Sequence, residues 1–328
     1  MSKGLIFSAM QPSGKFHLGN YMGALENWVK LQNDYECIFS IADLHALTSA
    51  YNDTSKIPEN IQDMILDWLG AGLDPEKNTI FVQSQVKEHA ELHLLLSMMT
   101  PLSWLERVPT YKDKLQQLGD QGKDINTYGF LGYPVLMTAD ILLYKAGFVP
   151  VGEDQNPHLE LAREIARRFN NMYEPIFVEP KGLMSRAAVL PGLDGRKMSK
   201  SYGNTIPFAS SPDEIREKTR MIITDPQRIK KTDKGNPDVC VAFKFHKLFN
   251  KEEVAEIEAS CRQGEIGCVA CKKRLAERMV DLLADMHVRR EAYAKNPQRI
   301  KEILDEGAKK ARIYAAATME EVRTAMHL

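Results

Sequence analysis

Leu5-Ile6-Phe7-Ser8-Ala9-Met10-Gln11-Pro12-Ser13-Gly14-Lys15-Phe16-His17-Leu18-Gly19-Asn20 decides the fold. A short apolar run, Leu5–Ala9, reads as a strand and enters a turn containing glycine and proline. Tyr21, Leu25, Trp28 and Val29 then recur at helical spacing. A strand, a glycine-containing turn and a helix form the unit on which parallel α/β sheets hold phosphates, because backbone N–H groups and the helix dipole point at the anion. Gly14 and Gly19 let a nucleotide approach the backbone, and His17 and Asn20 add polar groups at the helix start. The stretch is neither a Walker A sequence nor G-x-G-x-x-G, so a P-loop NTPase and an ordinary dinucleotide enzyme are disfavoured.

The same alternation continues outward. Cys37–Ala42, Thr79–Val82, Phe148–Val151 and Ile176–Val178 are further short apolar runs bounded by turn residues. They are continuous rather than alternating, as strands covered on both faces are. Between them Ile61, Ile65, Trp68 and Leu69 form one helical stripe, and Met137, Ile141 and Tyr144 another. Beyond about residue 205 strand signals fade, and Ser211–Ile223, Lys251–Ser260, Lys272–Tyr293 and Pro297–Ala316 read as helices. The expected fold class is α/β, a Rossmann-like parallel sheet with a C-terminal all-helical domain. The expected division is a catalytic domain over 1–190, a loop and linker over 191–204 and a helical domain over 205–328.

The 328 residues are 44% hydrophobic and 27% charged, which suits a folded chain of about two domains and excludes a disordered tail or a disulfide miniprotein. No run approaches the ~18 apolar residues of a membrane helix. The stretch Met1–Met10 lacks the core and cleavage site of a signal peptide, so a cytoplasmic location without membrane contact is expected. The net charge of −1 hides an asymmetry: residues 1–100 carry −6, 101–195 carry −2 and 196–328 carry +7. An acidic-leaning body joined to a basic helical half suits a polyanionic partner, although helical surfaces are often basic for solvation alone.

Asp194-Gly195-Arg196-Lys197-Met198-Ser199-Lys200-Ser201 lies where the two halves meet. Two lysines three apart on a Gly/Ser-flanked loop can grip a polyphosphate; a solvated basic loop is the bland alternative. Pro12-Ser13-Gly14, His17, Gly19 and Asn20, together with Lys197–Ser201, resemble the HIGH and KMSKS signatures of class I aminoacyl-tRNA synthetases. KMSKS is complete, and Asn20 replaces the last His of HIGH.

Within that class the likeness is to tryptophanyl-tRNA synthetase and covers essentially the whole chain. Phe7–Gly14, Ala42–Thr48, Tyr133–Tyr144 and Val149–Gln155 carry it. The chemistry points the same way. Tyr133, Met137 and Asp140 fall at i, i+4 and i+7 on one helix face, and a carboxylate among apolar residues is costly without a donor. An indole N–H is such a donor and has no acceptor capacity. The resemblance assigns tryptophan contacts to Phe7, His45, Tyr133, Met137, Asp140, Val149, Val151 and Gln155. Phe7, Val149 and Val151 would be core strand residues in any such fold, and His45 could simply cap a strand.

The resemblance implies a two-step reaction, in which ATP activates tryptophan and the tRNA's terminal ribose, at its 2′-hydroxyl, then attacks the adenylate. His17, Asn20, Lys197 and Lys200 are the expected catalytic residues. Gln11, Pro12, Ser13, Gly19, Asn20, Gly152, Glu153, Asp154, Val189, Lys197, Met198, Ser199, Lys200 and Ser201 would frame ATP, with Lys114 a weaker candidate. Mg²⁺ is expected with ATP and has no dedicated protein cage, which is normal for this ion. L-tryptophan, ATP and tRNA(Trp) are the expected partners. A homodimer is implied, with Met64–Leu69 and Leu92–Leu105 as the apolar contacts the sequence offers. A tyrosine-specific enzyme, a synthetase-like RNA-binding paralogue without activity and a small-molecule adenylyltransferase are the competing readings. Met137 offers no partner to a phenol hydroxyl, His17 and KMSKS are intact, and the basic helical half exceeds an adenylyltransferase's needs.

Of five cysteines, Cys37 reads as core, while Cys240, Cys261, Cys268 and Cys271 fall within 32 residues. Four thiolates so spaced can ligate a [4Fe–4S] cluster or Zn²⁺. A subset of bacterial tryptophanyl-tRNA synthetases carries a similar pattern with an iron–sulfur cluster. The resemblance therefore favours the cluster over Zn²⁺ and over free thiols.

Overall fold

The computed structural model describes residues 3–108, 126–152, 155–184 and 190–328. Five parallel strands, β1 (Leu5–Met10), β2 (Glu36–Ile41), β3 (Thr79–Val82), β4 (Phe148–Val151) and β5 (Lys181–Met184), form one sheet in the order β3-β2-β1-β4-β5. Phe7 pairs with Ile38 on one side of β1, and Ile6 pairs with Phe148 on the other. The strand order reverses between β1 and β4. In open α/β sheets ligands bind at that point, beyond the carboxyl ends of the strands.

The helices follow in chain order. They are α1 (Leu18–Asn20), a π-helical turn Tyr21–Leu25, α2 (Glu26–Leu31), α3 (Asp43–Ala50), α4 (Ile57–Ala71), α5 (Glu88–Met99), α6 (Leu102–Glu106), α7 (Tyr128–Leu142) and α8 (Asn156–Met172). The helical half holds α9 (Pro212–Met221), α10 (Val241–Phe249), α11 (Val254–Gln263), α12 (Cys268–Ala294) and α13 (Pro297–Met326). Ser211 caps α9 as the sequence indicates, in a reciprocal pair with Glu214.

The expected strand at Ile176–Val178 is not one. Both backbone polar groups of Phe177 are satisfied by the Asn170 side chain, at 3.0 and 2.8 Å, instead of by a ladder. The fifth strand lies at Lys181–Met184, where edge position tolerates a less apolar sequence. Helix α10 was not expected; its buried Val241, Ala242, Phe245 and Phe249 form its inner face.

Two apolar clusters sandwich the sheet. One joins Ile6, Phe39, Trp28 and Trp68 to Phe245, Leu275 and Met279 of the helical half. The other gathers Phe7, Phe81, Leu92, Leu142 and Phe169 with Ala311 and Met319. Met64, Ile65, Trp68 and Leu69 are at most 3% exposed, so this stripe is spent inside the molecule and offers no face to a second subunit. Burying each such side chain stabilises by roughly 1.5–3 kcal/mol. The last helix returns to β3, and Gly307 lies so close that a Cβ would overlap the carbonyl of Ile80.

Candidate functional site

The first signature is fixed by its own hydrogen bonds. The Asn20 N–H donates to His17 Nδ1 at 3.3 Å, and the His17 N–H donates to Asn20 Oδ1 at 3.2 Å. With Nδ1 accepting, the ring proton stands on Nε2. Burial, helped by the charge of Lys200, lowers the His17 pKa to about 4, so at neutral pH it is an uncharged donor. A Cβ at Gly19 would stand 3.0 Å from His17 Nδ1 and 3.3 Å from Met198 Cβ, so this position favours glycine.

The second signature folds back onto the first. After the loop the chain pairs with residues 16–18: Leu18 N–H donates to Ile206 O, and Phe208 N–H donates to Phe16 O. Met198 is buried in the core and anchors the loop, while Lys197 is exposed. Lys200 spans the gap. Its Nζ donates to the carbonyls of Ser13 and Gly14 at 3.1 and 3.0 Å. Much of its side chain stays in solvent, but the ammonium lies against the turn, and desolvation there lowers its pKa to about 8 although Asp67 opposes the shift. Ser199 and Ser201 hydroxyls bond to each other at 2.9 Å. Asn204, which the sequence did not single out, staples the loop. It donates to Asp194 Oδ1 at 2.7 Å and Lys197 O at 3.1 Å, and it accepts from Ser199 N–H at 2.9 Å.

At the switch point lies a cavity of about 310 Å³. All eight residues expected at a tryptophan, Phe7, His45, Tyr133, Met137, Asp140, Val149, Val151 and Gln155, line it, as do Gln11 and Gly152. Tyr133, Met137 and Asp140 share one face of α7 as their spacing requires. Of the other residues expected at ATP, Pro12 and Ser13 belong to the turn after β1 and Gly19 to α1, whereas Glu153, Asp154 and Val189, like Lys114, lie outside the described residues.

Asp140 is 2% exposed. His45 Nε2 donates to its Oδ2 at 2.8 Å; Gln83 Nε2 and His89 Nδ1 both donate to its Oδ1 at 2.7 Å. Burial alone would push the carboxyl up; His45 and His89 outweigh it and hold the pKa down to about 2. Gln83 and His89 were missed in the sequence. Their one signal is the polar run Gln83–His89 at the carboxyl end of β3, where functional loops of such sheets lie.

Among the described residues, the geometry gives no support to the metal site expected at the cysteines. Cys240, Cys261, Cys268 and Cys271 are unbridged, and their charges act on one another: burial, then the other three thiols, push Cys271 up to about 12. Arg228 Nη1 donates to Cys261 Sγ at 3.7 Å, and a Cβ at Gly235 would come within 2.6 Å of the same sulfur. Yet among the described residues no three His, Cys, Asp or Glu side chains stand close enough to share one metal ion, so no closed ligand set exists there.

Comparison with known proteins agrees with this geometry. Residues 3–284 match the family of class I tRNA synthetases for W and Y. The chain is 51% identical to a tryptophan–tRNA ligase of Thermotoga maritima and 44% identical to that of Aquifex aeolicus, each over 98% of this chain and 99% of the relative. A crystal structure of tryptophanyl-tRNA synthetase from Campylobacter jejuni, complexed with ADP and tryptophan, superposes with a TM-score of 0.89 at 37% identity, covering 99% of this chain and all of that one. With two class I signatures in contact and a buried carboxylate lining the cavity at the switch point, the chain belongs to the tryptophanyl-tRNA synthetase family of class I synthetases.

Proposed function

We propose that the cavity between β1, β4 and α7 is the tryptophan site of this tryptophan–tRNA ligase, with the indole N–H donating to Asp140. The enzyme activates L-tryptophan with ATP, used with Mg²⁺, and transfers it to tRNA(Trp). The observation that carries the site assignment is Asp140, a buried ionised acceptor in the wall of a cavity that Phe7, Met137, Val149 and Val151 also line. Phe7, Met137, Val149 and Val151 would pack the ring; His45, Tyr133 and Gln155 would hold its polar flanks.

In the first step an oxygen of the tryptophan carboxylate forms a bond to the α-phosphorus of ATP. The bond to the bridging oxygen breaks, and its electron pair leaves with pyrophosphate. No general base is needed, because the carboxylate is ionised at pH 7. Catalysis is positioning and charge stabilisation. His17 Nε2–H donates to the phosphates. Lys200 exchanges the Ser13 and Gly14 carbonyls for the leaving pyrophosphate, and Lys197 meets it from the exposed side of the loop. Asn20 holds His17; Gln11, Pro12, Ser13, Gly19 and Gly152 frame the nucleotide, with Glu153, Asp154 and Val189 in the same role. Met198, Ser199 and Ser201 shape the loop. ATP–pyrophosphate exchange with each of the twenty amino acids tests the reading: tryptophan alone should support it, and equal exchange with tyrosine overturns it.

The basic half, 205–328, is the proposed anticodon-binding domain, joined through 191–204 to the catalytic 1–190. Its support is the +4 charge of residues 205–328, against −6 over residues 1–100. The four cysteines are proposed to hold a [4Fe–4S] cluster that orders this half. Its support is the chemistry of the donor set, four soft thiols within 32 residues, which suit iron–sulfur better than harder ions. Iron and sulfide analysis of anaerobically purified protein decides it: about four irons per chain support the cluster, while zinc alone or no metal overturns it. A homodimer is proposed through α5, α6 and the start of α7, where Leu94, Met98, Leu102 and Tyr128 are exposed. No described helix is long and apolar enough to cross a membrane, and a cytoplasmic location is proposed.

A further inference from the structure

Asp140 offers about four lone-pair positions, two on each oxygen. Gln83 and His89 fill both on Oδ1, and His45 fills one on Oδ2. One position on Oδ2 remains. The carboxylate cannot turn without breaking charge-assisted hydrogen bonds in a buried site, where a lost partner is costly.

Gln83 and His89 are fully buried and do not line the cavity, and neither does Tyr144, 2% exposed. His89 spends Nδ1–H on Asp140, and its Nε2 is hydrogen-bonded to the Tyr144 hydroxyl at 2.8 Å. The Tyr144 ring stacks on Phe7, with centroids 5.3 Å apart and planes at 11°. Phe7 is a cavity wall. One side chain therefore touches both the apolar wall and, through His89, the acceptor.

We propose that Gln83, His89 and Tyr144 are positioning residues for amino-acid selection, which fix the one lone pair of Asp140 that a ring N–H can meet and hold Phe7 in register with it. This rests on the reading that Asp140 accepts the indole N–H. Without the three, Asp140 would remain an acid in the cavity, but its free lone pair would have no fixed direction relative to the ring plane.

The test compares tryptophan with 3-benzothienylalanine, in which sulfur replaces the ring N–H at nearly constant shape, in ATP–pyrophosphate exchange. The readout is the ratio of their kcat/KM values, which a fold-stabilising role alone would leave unchanged. His89→Leu and Tyr144→Phe should each lower the preference for tryptophan by about tenfold, through KM with kcat little changed. His89→Asn, whose amide nitrogen can stand near the Nδ1 position, should restore most of it. Should His89→Leu fail to fold, Tyr144→Phe and Gln83→Met carry the measurement. If Asp140→Asn collapses the ratio while the His89, Tyr144 and Gln83 variants keep it, this proposal fails and Asp140 stands. If Asp140→Asn also keeps the ratio, the underlying reading fails.

Discussion

The ammonium of Lys200 lies 3.0 Å from the carbonyl oxygen of Gly14, so the last lysine of one signature rests on the turn of the other, 186 residues away in the chain. A cation held on backbone carbonyls is already partly desolvated, and under the proposed function it meets the phosphates of ATP.

Lys200→Ala should therefore cost far more in activation rate than in tryptophan binding. The charge it meets develops fully as pyrophosphate leaves, so its loss belongs in kcat. Losing one such electrostatic donor costs about 100- to 1000-fold. Pre-steady-state adenylate formation beside equilibrium tryptophan binding checks this; a variant that changes only tryptophan affinity contradicts the role.

The lowered pKa of Lys200 sets a pH dependence. Below about 8 the free enzyme carries the ammonium; above it the amine is neutral and cannot attract phosphate. kcat/KM for ATP, which reports groups of the free enzyme, should fall as pH rises through about 8. Lys200→Arg keeps its charge there and should flatten the fall. An unchanged alkaline limb in the arginine variant assigns it to another group.

Gly19→Ala should separate stability from activity. Alanine favours a helix over glycine by about 0.8–1 kcal/mol, but crowding against His17 and Met198 offsets that gain, so the melting temperature should change little. The new methyl would press on His17 Nδ1 and Met198, displacing the donor ring, and exchange activity should fall by about tenfold or more. Calorimetry and ATP–pyrophosphate exchange on the same preparation test it; full activity would show that the ring yields without cost.

Asn204→Ala removes the staple of the second signature. It strands the Ser199 N–H and releases Asp194 and Lys197. These partners are half-buried or exposed, so each lost bond costs about 0.5–1.5 kcal/mol, and the loop should loosen before the sheet does. The ATP KM should rise by about tenfold, with tryptophan affinity unchanged and faster hydrogen exchange confined to residues 191–206. Uniformly faster exchange would mean that Asn204 supports the whole fold.

The sequence by itself determined the alternation of strands and helices, the turn after β1 and the face shared by Tyr133, Met137 and Asp140, because these depend on local periodicity and on spacing along one element. Its resemblance to a known family supplied eight of the residues that line the cavity. Only the tertiary structure decided what those residues touch. Asp140 is acid by composition, but its three donors come from α3, the turn after β3 and α5, at separations of 51 to 95 residues, which no local pattern records. Lys200 on Gly14 and Asn204 under its loop are likewise contacts between distant segments. Phe177 was misread as a strand because apolar runs look alike until a side chain such as Asn170 takes the backbone bonds a ladder would use. Four cysteines were legible as a group, but whether they close on a shared ion depends on how α10, α11 and α12 pack, and in this chain they stand near one another without a closed ligand set.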